Sequence, residues 1–300
     1  MTIPGSSYAD RKGRFMSHLV TRRNAGEAPG AGHKNGPIAT LAADPTTAVF
    51  DDPKNVIPSY LDPSAAQEWR ATINEFGMMM LNPLTEISIM LAKGLGLPSD
   101  YFTRLMHEGH HKVAPTFASL YHDRKPGTVL AALHEDIDVF AIHTQGTHSG
   151  LFVYTDTGVR LQVAVPEGCY LVQAGRQLYL KMRSMERTGE IDHAPIYSGW
   201  HEVIVTQDAV DKARPAIEQI DAIVADGTQE PEEKLARIRP LIKQCLRISS
   251  TFFYHFGDDT ELVYGLPEGS LEEDTFPEGT KIQRYIGLEL GFIKLRSTGE

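Results

Sequence analysis

An all-β fold of the barrel or double-sheet jelly-roll type, flanked by helices, is what this 300-residue sequence predicts. Three observations carry it. Six short apolar runs alternate with Gly, Pro and Asp turn signals, at 129–133, 139–142, 151–154, 160–165, 170–174 and 203–206. Each run is too short for a helix. The runs also lack the intervening helices that a parallel α/β sheet needs between successive strands.

Taken in order, residues 1–55 are rich in Gly, Pro, Ala and Asn and sustain no period of 2 or 3.6. They read as an irregular N-terminal segment, with residues 56–300 forming the folded domain. Asp62-Pro63-Ser64 is a helix start, with proline in the first turn. Helical spacing of Trp69, Ile73, Phe76, Met80, Leu84, Ile87 and Leu91 then predicts a helix over 65–95, kinked or broken at Pro83. A second, short helix follows from Leu97-Pro98-Ser99-Asp100 to about Met106. His110-His111 reads as a surface turn after Gly109, and Thr116, Ser119 and Tyr121 fall on the next strand. Amphipathic spacing over 207–225 and 230–246 predicts a helical insertion at about 207–246. Strand texture resumes at 248–256. The acidic run 268–278 reads as a solvated loop, and 282–295 is ambiguous, with helix favoured in its first half.

Composition removes several function classes. The net charge of −10 and the lack of a basic stripe argue against nucleic acid as a partner. The two cysteines, Cys169 and Cys245, form no close pair, which argues against a disulfide framework or a cysteine zinc site. With no such pairing the reducing cytosol is the simplest compartment, and the first residues, which have no apolar region, do not read as a secretory signal. The longest apolar stretch, 78–97, is interrupted by Asn82, Pro83, Thr85, Glu86, Ser88 and Lys93, so no membrane span is expected.

The chemistry is carried by His134-Glu135-Asp136 at the end of a predicted strand. Residues i and i+2 of a strand share a face, so His134 and Asp136 can present two metal ligands together. Glu135 points to the opposite face. Two histidines and a carboxylate on one side of an octahedron leave positions open, as iron(II) oxygenases require. The motif alone is common by chance. A second element, Gly199-Trp200-His201-Glu202-Val203, starts a later strand with a histidine, and a jelly roll brings two such strand ends to its mouth. The third is Arg247-Ile248-Ser249. Arginine binds a carboxylate as a fork, and a hydroxyl two residues on points to the same side, so a dicarboxylate would use both.

These elements occur in a fixed order with others: Ala114-Pro115-Thr116, His134-Glu135-Asp136, Gly150-Leu151, GCYLVQAGRQ at 168–177, WHEVIVT at 200–206 and RISSTFF at 247–253. Together they resemble the isopenicillin N synthase-like 2-oxoglutarate/iron(II) oxygenases from roughly residue 75 to 295. The resemblance implies a double-stranded β-helix (clavaminate synthase-like, cupin-like jelly roll). It also implies Fe(II) on His134, Asp136 and His201, and 2-oxoglutarate on Arg247 and Ser249. With O2, the implied reaction is hydroxylation, desaturation or cyclisation of a small organic substrate, coupled to decarboxylation of 2-oxoglutarate to succinate. Lys212 and Arg214 lie nearer the family's usual offset from the second histidine. Arg247 is preferred because the strand after it matches. Two other readings remain: an Fe(II) oxidase of the same fold that does not use 2-oxoglutarate, and a non-catalytic jelly-roll binding protein. His143 and His148 flank a Gly-containing turn from which either could touch substrate, though a loop role is the plainer reading.

Overall fold

The computed structural model describes residues 11–21, 48–49, 57–107, 109–194, 196–263 and 280–282. The Asp62 carboxylate accepts the backbone N–H groups of Ser64 and Ala65 at 2.9 and 3.0 Å, opening helix α1 (Pro63–Gly94). α1 runs through Pro83 without a break. The ring removes one backbone donor, and the carbonyl that loses it belongs to the exposed Met79. Buried Met80, Leu81 and Leu84 on either side keep the helix seated on the core. Helix α2 (Tyr101–Met106) follows.

Two antiparallel sheets face each other. The larger takes the order β3-β2-β4-β11-β6-β9, with β1 also paired to β4. Its members are β1 (Gly13–Arg14), β2 (Ser17–Thr21), β3 (Ala48–Val49), β4 (His110–Ser119), β6 (Phe140–His143), β9 (Leu171–Ala174) and β11 (Leu246–Tyr254). The smaller takes the order β5-β10-β7-β8, from β5 (Val129–Glu135), β7 (Leu151–Tyr154), β8 (Arg160–Gln162) and β10 (Trp200–Ile204). A separate pair joins β12 (Glu261–Val263) to β13 (Thr280–Lys281). Alternation decides which face of the large sheet is which. Val113, Phe140, Ile142, Phe252 and Tyr254 pack in the main core with α1 and with helix α3 (Arg176–Arg187). Ala114, Ala141, Thr251 and Phe253 point the other way, towards the small sheet.

Helices α4 (Gln207–Ala225) and α5 (Pro231–Ile242) occupy the stretch between β10 and β11. Thr206 caps α4 by accepting the Ala209 N–H at 3.1 Å. Ala209, Ala213, Ala216, Ile217 and Ile220 on its buried stripe pack with Ala118, Leu120, Leu130 and Val205 in a second core. Among the described residues no helix is long and apolar enough to cross a membrane.

Two expectations are corrected, and one helix was not expected. The segment expected to be irregular, 1–55, contributes β1, β2 and β3 to the large sheet. β1 and β2 pair by backbone with β4, and two and five residues are too few for a period to stand out from Gly- and Pro-rich surroundings. His110-His111 opens β4 rather than forming a surface turn, and His111 is buried against Tyr254 with ring centroids 4.5 Å apart. Helix α3 has no counterpart in the sequence reading. Its buried side includes Gln177, Lys181 and Ser184, which break the apolar stripe and bond instead to His255, Glu261 and Leu262. The acidic run and nearly all of the ambiguous C-terminal stretch lie outside the described residues.

Candidate functional site

β5 and β10 are antiparallel neighbours whose register sets His134 directly opposite His201. Directly opposed side chains on one face lie close together, and the two imidazole centroids are 4.2 Å apart. Asp136 follows the end of β5 and turns its carboxylate between them. Oδ1 lies 3.7 Å from His134 Nε2, and Oδ2 lies 3.7 Å from His201 Nε2. One donor atom from each of the three residues falls within 4.8 Å of the others.

The outer nitrogens define the tautomers. His134 Nδ1 lies 2.6 Å from the Ala132 carbonyl, and His201 Nδ1 lies 3.4 Å from the Gly199 carbonyl. A carbonyl only accepts, so each Nδ1 carries the proton and each Nε2 turns its lone pair towards Asp136. Burial first, then the neighbouring His134, pushes the His201 imidazole down to about 3, so it is neutral at neutral pH. Asp136 Oδ2 is buried with no hydrogen-bond partner among the described residues. Three electron-pair donors thus converge where no proton separates them, an arrangement that repels itself unless a cation lies among them. The donor set, two imidazoles and a carboxylate, fits a divalent first-row metal with open positions, and His134, Asp136 and His201 could hold it.

Arg247 and Ser249 lie on β11, on the face towards the small sheet, with Thr251 two residues further on. The Arg247 guanidinium is buried at 7% exposure. It donates to the Ser149 carbonyl at 3.4 Å and to Ser249 Oγ at 3.3 Å. No carboxylate among the described residues pairs with it, and burial alone lowers its pKa to about 10. Two glycines give it room: a side chain at Gly150 would place Cβ 3.4 Å from its Nε, and one at Gly146 would come within 3.3 Å of a terminal nitrogen. Lys212 instead donates to the Thr147 carbonyl at 2.8 Å, and Arg214 pairs with Asp211 at the surface.

Thr251 connects the two groups. It sits opposite His143 on β6, and its Oγ1 lies 3.2 Å from His143 Nδ1. His143 Nε2 faces Asp136 Oδ2 at 3.7 Å. A row of inward side chains thus leads from Arg247 through Ser249, Thr251 and His143 to Asp136, with about 13 Å of β11 between the α-carbons of Arg247 and Thr251.

Other residues considered from sequence take different places. Glu135 accepts from Arg176 and Ser198, away from the donor cluster. Glu202 accepts from Tyr154 and Arg160 at 2.8 and 2.7 Å. Thr116 lies opposite Ser249 and accepts from Arg14 at 3.2 Å. Ser119 pairs across to Leu246 at the far end of β4, and Tyr121 bonds to Asp221 on α4. His148 stays in the loop between β6 and β7. Asp138, two residues beyond Asp136, was not singled out in the sequence. It is fully buried with neither carboxylate oxygen partnered among the described residues, and burial together with the Asp136 charge pushes its pKa well above the usual carboxylate range. Gly175 makes its position possible, because a Cβ there would lie 2.1 Å from Asp138 Oδ1. The repeat His134-x-Asp136-x-Asp138 was its only signal.

Comparison with known proteins adds to this geometry. No protein-family model matches the chain, and no curated protein matches it. Solved structures do. A full-length Neurospora crassa protein in complex with alpha-KG superposes at a TM-score of 0.57 and 16% identity, over 95% of this chain and 66% of that one. JOX2 in complex with 2OG, Fe and JA gives 0.52 and 16%, over 93% of this chain and 60% of that one. A Caulobacter crescentus protein named as a putative 2OG-Fe(II) oxygenase family member gives 0.53 and 19%, over 98% and 73%. The fold is that of the 2-oxoglutarate/iron(II) oxygenases. In this double-stranded β-helix the inner faces of the two sheets carry the donor cluster and the buried arginine respectively, β5 and β10 on one side and β11 on the other. At 60–73% of the length of those three proteins, the chain spans about two thirds of their length.

Proposed function

We propose that this chain is a non-haem Fe(II)- and 2-oxoglutarate-dependent dioxygenase that oxidises a small organic substrate. The observation that carries the proposal is Arg247, a buried guanidinium with no counter-charge among the described residues, on the inner row that ends at the His134–Asp136–His201 cluster. Burying an unpaired cation costs several kcal/mol, and a site that meets this cost is built to receive an anion. An anion that also reaches the donor cluster needs a second oxygen-rich end. A dicarboxylate of the 2-oxoglutarate type has both.

His134 Nε2, His201 Nε2 and one oxygen of Asp136 would hold the iron. Iron with 2-oxoglutarate and dioxygen supplies the oxidising power when bound, at the expense of decarboxylation to succinate. The chain's own work is different. Arg247 and Ser249 fix the remote carboxylate through N–H and O–H donors on one strand face. The Ala132 and Gly199 carbonyls hold the Nδ1 protons of His134 and His201, which keeps both Nε2 atoms available. The apolar stripe of α4 packs against Ala118, Leu130 and Val205 beside the two sheets.

Anaerobic iron(II) titration by calorimetry, followed by 2-oxoglutarate titration of the iron-loaded protein and assay of succinate in air, tests the reading. One iron per chain, 2-oxoglutarate binding that depends on Arg247 and slow succinate formation without substrate are expected. Iron binding with no response to 2-oxoglutarate would favour an Fe(II) oxidase. Binding of neither would leave a non-catalytic jelly roll.

A further inference from the structure

His143 is not one of the three residues that converge within 4.8 Å, yet its Nε2 points at the same carboxylate. Both facing atoms, His143 Nε2 and Asp136 Oδ2, are buried, and neither has a hydrogen-bond partner among the described residues. Buried polar atoms are nearly always satisfied, so two such atoms aimed at each other across 3.7 Å need an explanation. The backbone of His143 is held from both sides, paired to Thr251 of β11 and to Leu171 of β9. On the ring's other edge, Thr251 Oγ1 lies 3.2 Å from Nδ1.

We infer that His143 is a positioning residue for the metal-binding carboxylate. Thr251 donates its O–H to Nδ1, which leaves the proton on Nε2, and Nε2–H donates to Asp136 Oδ2. The opposite tautomer would set a nitrogen lone pair against a carboxylate oxygen, which is repulsive. About 0.5 Å of side-chain movement closes the contact to hydrogen-bond length. One carboxylate oxygen is then committed to the imidazole, and Asp136 offers the metal a single atom. The positions that a second oxygen would block stay available to the co-substrate. This inference rests on the dioxygenase reading, since it assigns His143 a role towards that metal.

The test is anaerobic titration of metal-free protein with Fe(II) and Co(II) by calorimetry, with the visible absorption spectrum of the Co(II) form as a second readout. The variants are His143→Leu, His143→Gln, Thr251→Val and the double variant His143→Leu/Thr251→Val, with His201→Ala as the reference for loss of a ligand. His143→Leu should bind one metal per chain with an affinity lower by about 10–100-fold, the usual effect of removing an outer partner of a ligand. Its Co(II) spectrum should differ from wild type. His143→Gln, which retains an N–H donor, should recover most of the affinity. Thr251→Val should lose less than His143→Leu, and the double variant no more than His143→Leu, because both act through one hydrogen bond. Unchanged affinity and spectrum in His143→Leu would overturn the inference. So would a loss as complete as that of His201→Ala without recovery in His143→Gln, which would make His143 a ligand. If His143→Leu does not fold, wild-type affinity and spectrum in Thr251→Val would overturn it as well. Wild-type protein that binds no metal would sink the dioxygenase reading itself, whereas wild-type binding with an indifferent His143→Leu sinks this inference alone.

Discussion

His134 and His201 face each other across one rung of the β5–β10 ladder, and their Nε2 atoms each lie 3.7 Å from a different oxygen of Asp136. The rung is backbone-determined, so either imidazole can be removed without disturbing the pairing that holds the other. His134→Ala, Asp136→Ala and His201→Ala should therefore each abolish stoichiometric iron(II) binding while far-ultraviolet circular dichroism stays that of wild type. Metal analysis after gel filtration reads the first, and full occupancy in the His201→Ala protein would remove that residue from the donor set. Chelation of iron from wild type should leave the sheets intact, because the cluster lies at strand ends rather than within the main core.

The strands of the small sheet were legible because each alternates or runs apolar between Gly, Pro and Asp turns, and β5, β7, β8 and β10 begin or end within a few residues of the expected positions. His134 and His201 could be nominated for the same reason, since a residue at a strand end is placed by the strand. Arg247 could be proposed across α4 and α5 because the strand after it matches the family that the sequence resembles. His143 could not be placed. Its role depends on the β6–β11 register, which sets it opposite Thr251, and no local pattern encodes that pairing. β1 was invisible for a related reason: Gly13 meets the Phe117 ring so closely that a Cβ would lie 2.2 Å from it, a tertiary constraint with no period in the sequence.

Gly150 is held by both space and backbone. Its φ of +136° is a region that favours glycine, and a Cβ would lie 2.3 Å from the Ile204 carbonyl and 3.4 Å from Arg247 Nε. Gly150→Ala should cost about 1–3 kcal/mol in denaturant unfolding. It should also weaken 2-oxoglutarate binding by displacing the guanidinium. A variant with wild-type stability would show that the loop relaxes freely and that the glycine is not required.

Stability should fall in mild acid through His111. It is buried, its Nδ1 accepts the His255 N–H at 3.1 Å, and burial first, then the charges of His110 and His107, lower its pKa from 6.5 to about 3. Between those values the unfolded chain carries a proton on this imidazole that the folded chain excludes. Stability therefore rises with pH across the window and is lost as pH drops below 6.5, by roughly 1.4 kcal/mol per pH unit for each such group. His255, held well below its ordinary value by burial, adds in the same direction. Urea midpoints of metal-free protein at pH 7, 6 and 5 measure the slope. His111→Asn, which retains an acceptor but does not titrate, should flatten it by about one proton, and parallel slopes would exclude His111 as a contributor.

The co-substrate prediction turns on Arg247 having no acid of its own among the described residues. Ser249 and the Ser149 carbonyl are neutral, and both contacts are long, 3.3 and 3.4 Å, so the guanidinium keeps donors for an incoming carboxylate. A carboxylate entering between the sheets loses its hydration, and a buried charge left without its partner costs about 3–5 kcal/mol. Arg247→Ala should accordingly lower 2-oxoglutarate affinity by a few hundred-fold or more. Arg247→Lys should recover only part, since an ammonium cannot make two parallel N–H bonds to one carboxylate. Ser249→Ala should cost less than Arg247→Ala because it removes a single neutral donor. Lys212→Ala and Arg214→Ala serve as controls. Lys212 is engaged with the Thr147 carbonyl and Arg214 with Asp211, so both variants should bind 2-oxoglutarate as wild type does. Calorimetric titration of the iron-loaded proteins under anaerobic conditions gives all the affinities in one series. Normal binding by Arg247→Ala together with loss in Lys212→Ala would move the carboxylate site to the N-terminal turns of α4 and overturn the assignment to β11.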